Sequence, residues 1–265
     1  MKLKCYIDPI LKEQLDTVKR HVMKKDMDFV LVIDGEEGSG KSVLAMQIAS
    51  YFDPKFNLDC VVFSADEFMK SIRTTRRYAC VLLDEAFNAS NARASLSQTN
   101  RAMLGVATEM RQRNLFVIIV IPSFFDLDKY FALWRCKALL HVYLTKGSRG
   151  RYLLFPKTKK KLLYLNGKKT YNYTKPKSSY PPLRFKNEYV IVEKEYREKK
   201  AKAFRTRVVS NMARKWKEQR DALIMDLYHN QKVSSADIGM KMEEGGATSI
   251  SQREIQKIVQ IKGGV

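Results

Sequence analysis

The sequence predicts an α/β fold: a parallel β-sheet covered by helices on both faces, followed by a basic segment and a small helical C-terminal domain. Three observations carry this. Short runs that are apolar at every position alternate with stretches of helical period, the pattern of strands buried on both faces. A glycine-rich loop separates the first of these runs from the helix after it. Positive charge is also confined: of a formal net charge of +21, residues 146–220 hold a surplus of 19, with 24 Lys+Arg against 5 Asp+Glu.

Asp8-Pro9 opens a helix, because proline suits a first turn and Ile10, Leu11, Leu15, Val18 and Val22 share one face. Residues 29–33 form an apolar, β-branched run that stops at Asp34-Gly35, a strand followed by a turn. Residues 42–51 read as helix and 60–63 as a second strand. Ser64 and Glu67 then form a capping box that starts another helix. The third strand, 79–83, ends in Asp84-Glu85. A helix over 98–113 carries Met103, Ala107 and Met110 on one face, and strands follow at 115–121 and 138–144. These boundaries give an N-terminal helical segment over 1–27 and a core over 28–145.

Beyond 145 the character changes. The runs 151–155 and 162–165 predict a hairpin, with Asn166-Gly167 a turn signal after it. Residues 175–182, rich in Tyr, Lys and Pro, read as an extended linker. This gives a basic hairpin and linker over 146–186 and a basic helical domain over 187–265. Within the last domain, Ser234/Ser235 and the Ser251–Glu254 capping box open two short helices separated by Gly245-Gly246.

The four cysteines, Cys5, Cys60, Cys80 and Cys136, form no C-x-x-C pair and read as reduced thiols of a cytoplasmic protein. The longest apolar run is far below the ~20 residues of a membrane helix. No membrane span is expected, nor a signal peptide.

Residues 35–42 match G-x-x-x-x-G-K-[ST], between a strand and a helix. Gly35, Glu36, Glu37, Gly38, Ser39 and Gly40 would wrap backbone N–H groups around phosphate, together with the first helical residues Lys41, Ser42 and Val43. Lys41 can reach the β- and γ-phosphates of ATP, and the Ser42 hydroxyl can ligate Mg²⁺. Asp84 follows four apolar residues at a strand's C-terminal end, where ligands bind in open α/β sheets; it is the second candidate Mg²⁺ ligand. Glu85 is the candidate base that orients and deprotonates a water.

The Asp84-Glu85 pair after its apolar strand resembles the Walker B element of the additional-strand, catalytic-glutamate division of P-loop ATPases. The block 109–123, with Arg111 and Arg113, a strand and then Ser123, is similar to that of FtsK/HerA-like motors and zonular-occludens-toxin-like phage ATPases. Viral DNA-packaging ATPases share the plan. The resemblance spans about 29–144. It implies a RecA-like P-loop NTPase core, a ring-forming homo-oligomer, an arginine finger acting in trans and a polar sensor. Arg101, Arg111, Arg113 and Arg135 are finger candidates, Arg113 or Arg111 first, and both of these also suit a helix C-terminus electrostatically. The sensor position holds Ser123, where many relatives have Gln or Asn. Glu85 argues against a nucleotide kinase, which typically lacks that glutamate.

Lys159, Lys160, Lys161, Lys168 and Lys169, interleaved with tyrosines, are candidate nucleic-acid contacts, against the simpler reading of a solvated hairpin. Arg253, Gln256 and Lys257 would face outward on the last helix. They could read base edges in a helix-turn-helix-like arrangement, or belong to a three-helix interaction module. The function these features predict is an ATP-hydrolysing nucleic-acid motor, translocating or packaging double-stranded DNA for a virus or mobile element, in the host cytoplasm if viral. The alternative is a non-motor ATPase switch that positions a partner protein, viral or replicative, on DNA.

Overall fold

The computed structural model describes residues 5–84, 92–244 and 250–263. The chain divides into two compact units, Met1–Lys200 and Ala201–Val265.

The first unit opens with α1 (Pro9–Lys24), where Asp8 accepts a 3.0 Å hydrogen bond from the Ile10 N–H and Leu11, Leu15 and Val22 are buried. Strand β1 (Phe29–Gly35) leads through the glycine loop into α2 (Lys41–Phe52). Nine residues of α2 are buried, because it lies under other elements on nearly every side. Strand β2 (Val61–Val62) is followed by α3 (Ala65–Thr74). Its capping box is reciprocal: the Glu67 N–H donates to Ser64 Oγ (3.2 Å) and the Phe63 N–H to Glu67 Oε2 (3.0 Å). After β3 (Cys80–Leu83) come α4 (Ala92–Gly105), α5 (Ala107–Gln112) and β4 (Phe116–Val120). Strand β5 (Ala138–Thr145) then pairs with β6 (Ser148–Pro156), which leads into α6 (Lys157–Gly167) and β7 (Leu183–Arg184).

The seven strands lie in the order β2-β3-β4-β1-β5-β6-β7. The first five are parallel, and β6 and β7 extend the sheet antiparallel. Strand β1 is central, between β4 and β5, with all seven residues buried, as the uninterrupted apolar run requires. Phe52 of α2 stacks on Phe116 of β4 at 4.3 Å.

Two expectations are corrected. The sheet does not stop at 145, and the hairpin is not 151–165. It is β5–β6, turned at Lys146-Gly147, both with positive φ (49° and 75°), as a two-residue hairpin turn of matching twist requires. Residues 162–165 lie inside α6. That helix buries Lys160, Leu163, Tyr164 and Gly167, an i, i+3, i+4, i+7 stripe disguised by the lysine at its first position. Gly167 ends this helix rather than a hairpin. A Cβ there would sit 2.3 Å from the Asn172 carbonyl oxygen and 2.7 Å from Phe125.

Helix α7 (Glu193–His229) begins in the first unit. In the second, α8 (Ser235–Glu244) and α9 (Gln252–Gly263) pack on α7's last turns through Ile224, Ile238, Met242, Ile250 and Ile255. Ser234 and Ser251 cap α8 and α9 as expected, accepting from the Asp237 N–H (3.2 Å) and the Glu254 N–H (3.3 Å). Among the described residues no helix is long and apolar enough to cross a membrane.

Candidate nucleotide site

The loop is shaped by glycines that no other residue could replace cheaply. Gly35 (φ +136°) is clamped between strands, and a Cβ there would sit 1.9 Å from the Val142 carbonyl oxygen. Gly40 (φ +97°) is the N-cap of α2 without a side-chain cap, so the first amides of a 12-residue helix stay turned to the loop. The Lys41 ammonium donates to the carbonyls of Gly35 and Glu36, both at 2.6 Å. Ser39 is fully buried, and its hydroxyl has no hydrogen-bond partner among the described residues.

The β3 end supplies the second half. Asp84 is fully buried, its N–H is held by the Val62 carbonyl (2.9 Å), and its Oδ1 accepts from the Ser42 hydroxyl at 3.0 Å. The two candidate metal ligands, 42 residues apart in sequence, therefore touch. This donor set fits a phosphate with a Mg²⁺ ion: hard oxygen ligands from a hydroxyl and a carboxylate, an orphaned buried hydroxyl, and the start of a 12-residue helix that no side chain caps. Among the described residues there is no group of three His, Cys, Asp or Glu side chains that would hold a metal without phosphate. Glu85 lies outside the described residues.

A second buried carboxylate lies one residue before the loop. Asp34 accepts from the Phe124 N–H (2.8 Å) and the Tyr173 hydroxyl, and its Oδ1 is 2.9 Å from His141 Nδ1. The Tyr173 ring stacks on His141 at 3.9 Å. Burial first, and then the Asp34 carboxylate, push the Tyr173 hydroxyl well above its ordinary pKa, so it stays a donor. Ser123, the expected sensor, follows β4 at this same end. Its hydroxyl accepts from the Phe125 N–H (3.3 Å) and meets the Tyr173 hydroxyl at 3.3 Å.

The arginines lie elsewhere. Arg111 and Arg113 precede β4, whose Phe116 pairs with Phe29 at the start of β1, so both stand at the sheet end opposite the loop. Arg113 donates to the Thr75 carbonyl (3.0 Å) and Arg111 is exposed. Arg135, also at that end, is paired with Asp28 and donates to the Ala107 carbonyl (2.8 Å). None can serve the loop of its own chain.

The lysines divide. Lys160 is fully buried and donates to the carbonyls of Ala132 and Leu133, so it is withdrawn from the candidate nucleic-acid contacts. Burial lowers its pKa to about 8. Lys161 lies 3.6 Å above the Trp134 ring, and Trp134 is 57% exposed. Lys159 is half-buried. Lys168 and Lys169 are exposed, as are Arg253, Gln256 and Lys257 on α9.

Sequence reasoning missed Asp34, His141 and Tyr173, and also Phe185 and Arg149. A Cβ on Gly40 would meet Phe185 at 2.9 Å, and one on Gly38 would meet the Arg149 guanidinium at 3.9 Å. Tyr173 and Phe185 flank the stretch 175–182 read as linker, where no local period marks them. Asp34, next to the glycine motif, offered the one available signal: an acid closing an otherwise apolar strand.

No protein-family model matches this chain, and no curated protein does. Among solved structures it is similar to the N-terminal domain of zonular occludens toxin from Neisseria meningitidis, at 15% identity and a TM-score of 0.33, over 49% of this chain and 84% of that one.

Proposed function

We propose that this chain binds Mg²⁺·ATP and hydrolyses it in a nucleic-acid-dependent cycle, acting as a motor on double-stranded DNA. The single observation that carries the proposal is the 3.0 Å hydrogen bond joining Ser42 to Asp84 beneath a complete glycine loop. Ser42 and Asp84 would hold Mg²⁺. The ion, when bound, neutralises charge on the phosphate oxygens. Lys41, which now donates to two carbonyls of its own loop, would turn to the β- and γ-phosphates. Glu85 would accept a proton from water, being the next residue after the metal carboxylate.

Two observations support the nucleic-acid half. Residues 146–220 carry a surplus of 19 positive charges, and the exposed Trp134 carries the Lys161 ammonium over its ring, an indole and a cation brought together as a base and its phosphate would need. Arg111 stands exposed at the sheet end away from its own loop, where a finger would act on a neighbouring copy in a ring.

The test is ATP hydrolysis with and without double-stranded DNA at two salt concentrations, beside Lys41→Ala and Glu85→Gln. DNA stimulation that both substitutions abolish and salt weakens is the expected result. Hydrolysis indifferent to DNA overturns the motor and leaves a switch acting on a protein partner.

A further inference from the structure

The segment after β7 crosses the nucleotide site and is tied down at each step. The Phe185 N–H donates to the Gly150 carbonyl (3.0 Å), and its buried ring lies against Gly40. Gln47, inside α2, donates to the carbonyls of Lys186 (2.7 Å) and Glu188 (2.8 Å). In the first turns of α7, the Tyr196 ring is buried between Phe63 and Tyr189, with centroids 5.9 Å from each. Its hydroxyl donates to Asp84 Oδ2. Lys199 then donates to the carbonyls of Leu58 (2.8 Å) and Val61 (2.7 Å). All of these residues belong to the first unit.

The two oxygens of Asp84 are therefore both taken. Ser42 holds Oδ1, an arrangement that metal binding can keep, since a hydroxyl can donate to a carboxylate and offer a lone pair to a cation at once. Oδ2 is the oxygen left for the cation or its water, and Tyr196 covers it. Asp84 is fully buried, so a phenol and a hydrated cation cannot share that oxygen without movement. We propose that Tyr196 is a place-holder in the metal shell, and that seating Mg²⁺·nucleotide withdraws its hydroxyl from Asp84 and loosens the first turns of α7. The proposal rests on the reading of the glycine loop and Asp84 as a Mg²⁺·nucleotide site. The remaining ties suit a strap that opens: Gln47 and Lys199 grip backbone carbonyls, which water can replace.

The test uses the full chain, a fluorescent non-hydrolysable ATP analogue with Mg²⁺ or EDTA, and limited trypsin digestion. Tyr196→Phe keeps the ring packing and removes only the donor. It is expected to tighten Mg²⁺-dependent binding about tenfold or more, the scale of one lost hydrogen bond to a charged group, and to leave binding in EDTA unchanged. In the unsubstituted chain, Mg²⁺ with the analogue is expected to speed cleavage at Lys194, Arg197, Lys199 and Lys200. Gln47→Leu, which frees the strap without touching Asp84, is expected to speed the same cleavage without nucleotide. Weaker Mg²⁺-dependent binding by Tyr196→Phe makes Tyr196 a positioning residue of the loaded site and overturns the proposal, as does protection of these bonds by Mg²⁺·analogue. Both of those outcomes leave the site itself standing. Absence of any analogue binding that Lys41→Ala removes takes down the site and the proposal together.

Discussion

At the sheet end where β1 and β3 finish, the buried charges are carboxylates, and each is encircled by donors: Asp34 by Phe124, His141 and Tyr173, and Asp84 by Ser42 and Tyr196. At the end where the strands begin, the buried carboxylates Asp28 and Asp53 are paired with Arg135 and Arg76, and buried or half-buried cations also grip carbonyls: Lys160 those of Ala132 and Leu133, and Arg135 that of Ala107. Each end leaves a buried side-chain group without a hydrogen-bond partner, Arg135 Nε at the second and the Ser39 hydroxyl at the first, yet only Ser39 stands in a glycine loop at the start of a helix. A charge that already has its partners is structure. A site is marked by an unpartnered donor where it stands inside a glycine loop that opens a helix.

The comparison can be broken, most severely at the glycine loop. Lys41→Ala and Glu85→Gln are each expected to lower ATP turnover about a thousandfold in a phosphate-release assay. Turnover that survives either would unseat this end as the reactive one. Gly35→Ala drives a methyl to 1.9 Å from the Val142 carbonyl oxygen. It should cost about 3 kcal/mol or more in denaturant unfolding. Asp34→Ala takes the carboxylate from the Tyr173 hydroxyl and leaves the Phe124 N–H only its longer bond to that hydroxyl (3.1 Å), at about 2 kcal/mol by the same measurement.

The end where the strands begin should answer to pH instead. Lys160 falls from the ordinary 10.5 to about 8 on folding, so between those values the unfolded chain binds more protons and stability rises with pH. Lys160→Met should flatten that rise, which for one group is at most about 3 kcal/mol, read as the difference in unfolding midpoint between pH 7.5 and 10. Equal slopes in the two proteins would place the burial cost elsewhere. Smallest of all, Trp134→Ala should weaken DNA-stimulated turnover by about 1 kcal/mol in apparent DNA affinity, and Lys161→Ala should lower the salt slope by about one.

How much of this was legible in the sequence depended on distance along the chain. Asp8-Pro9, Ser64 with Glu67, and residues 35–42 act within a few positions of themselves, and the structure has two capped helix starts and a strand–loop–helix there. Asp84 was legible because its own strand delivers it to the loop. Tyr173 and Tyr196 reach their carboxylates across 139 and 112 residues, and no local period announces such a contact. The misread hairpin has a different cause. Lys160 occupies an apolar position of a helix because two carbonyls receive its ammonium, so a rule that sorts lysine to the surface turned four helical residues into a strand.

The outer strands carry a consequence for how copies can meet. β2 and β7 each pair over only two residues, Val61–Val62 and Leu183–Arg184, and they close the two sides of the sheet. So short a ladder gives an incoming strand almost nothing to extend. Growth of the sheet from one molecule into the next is therefore disfavoured, even at the concentrations of a crowded cell. Among the described residues, contacts between copies are left to side chains rather than to sheet edges.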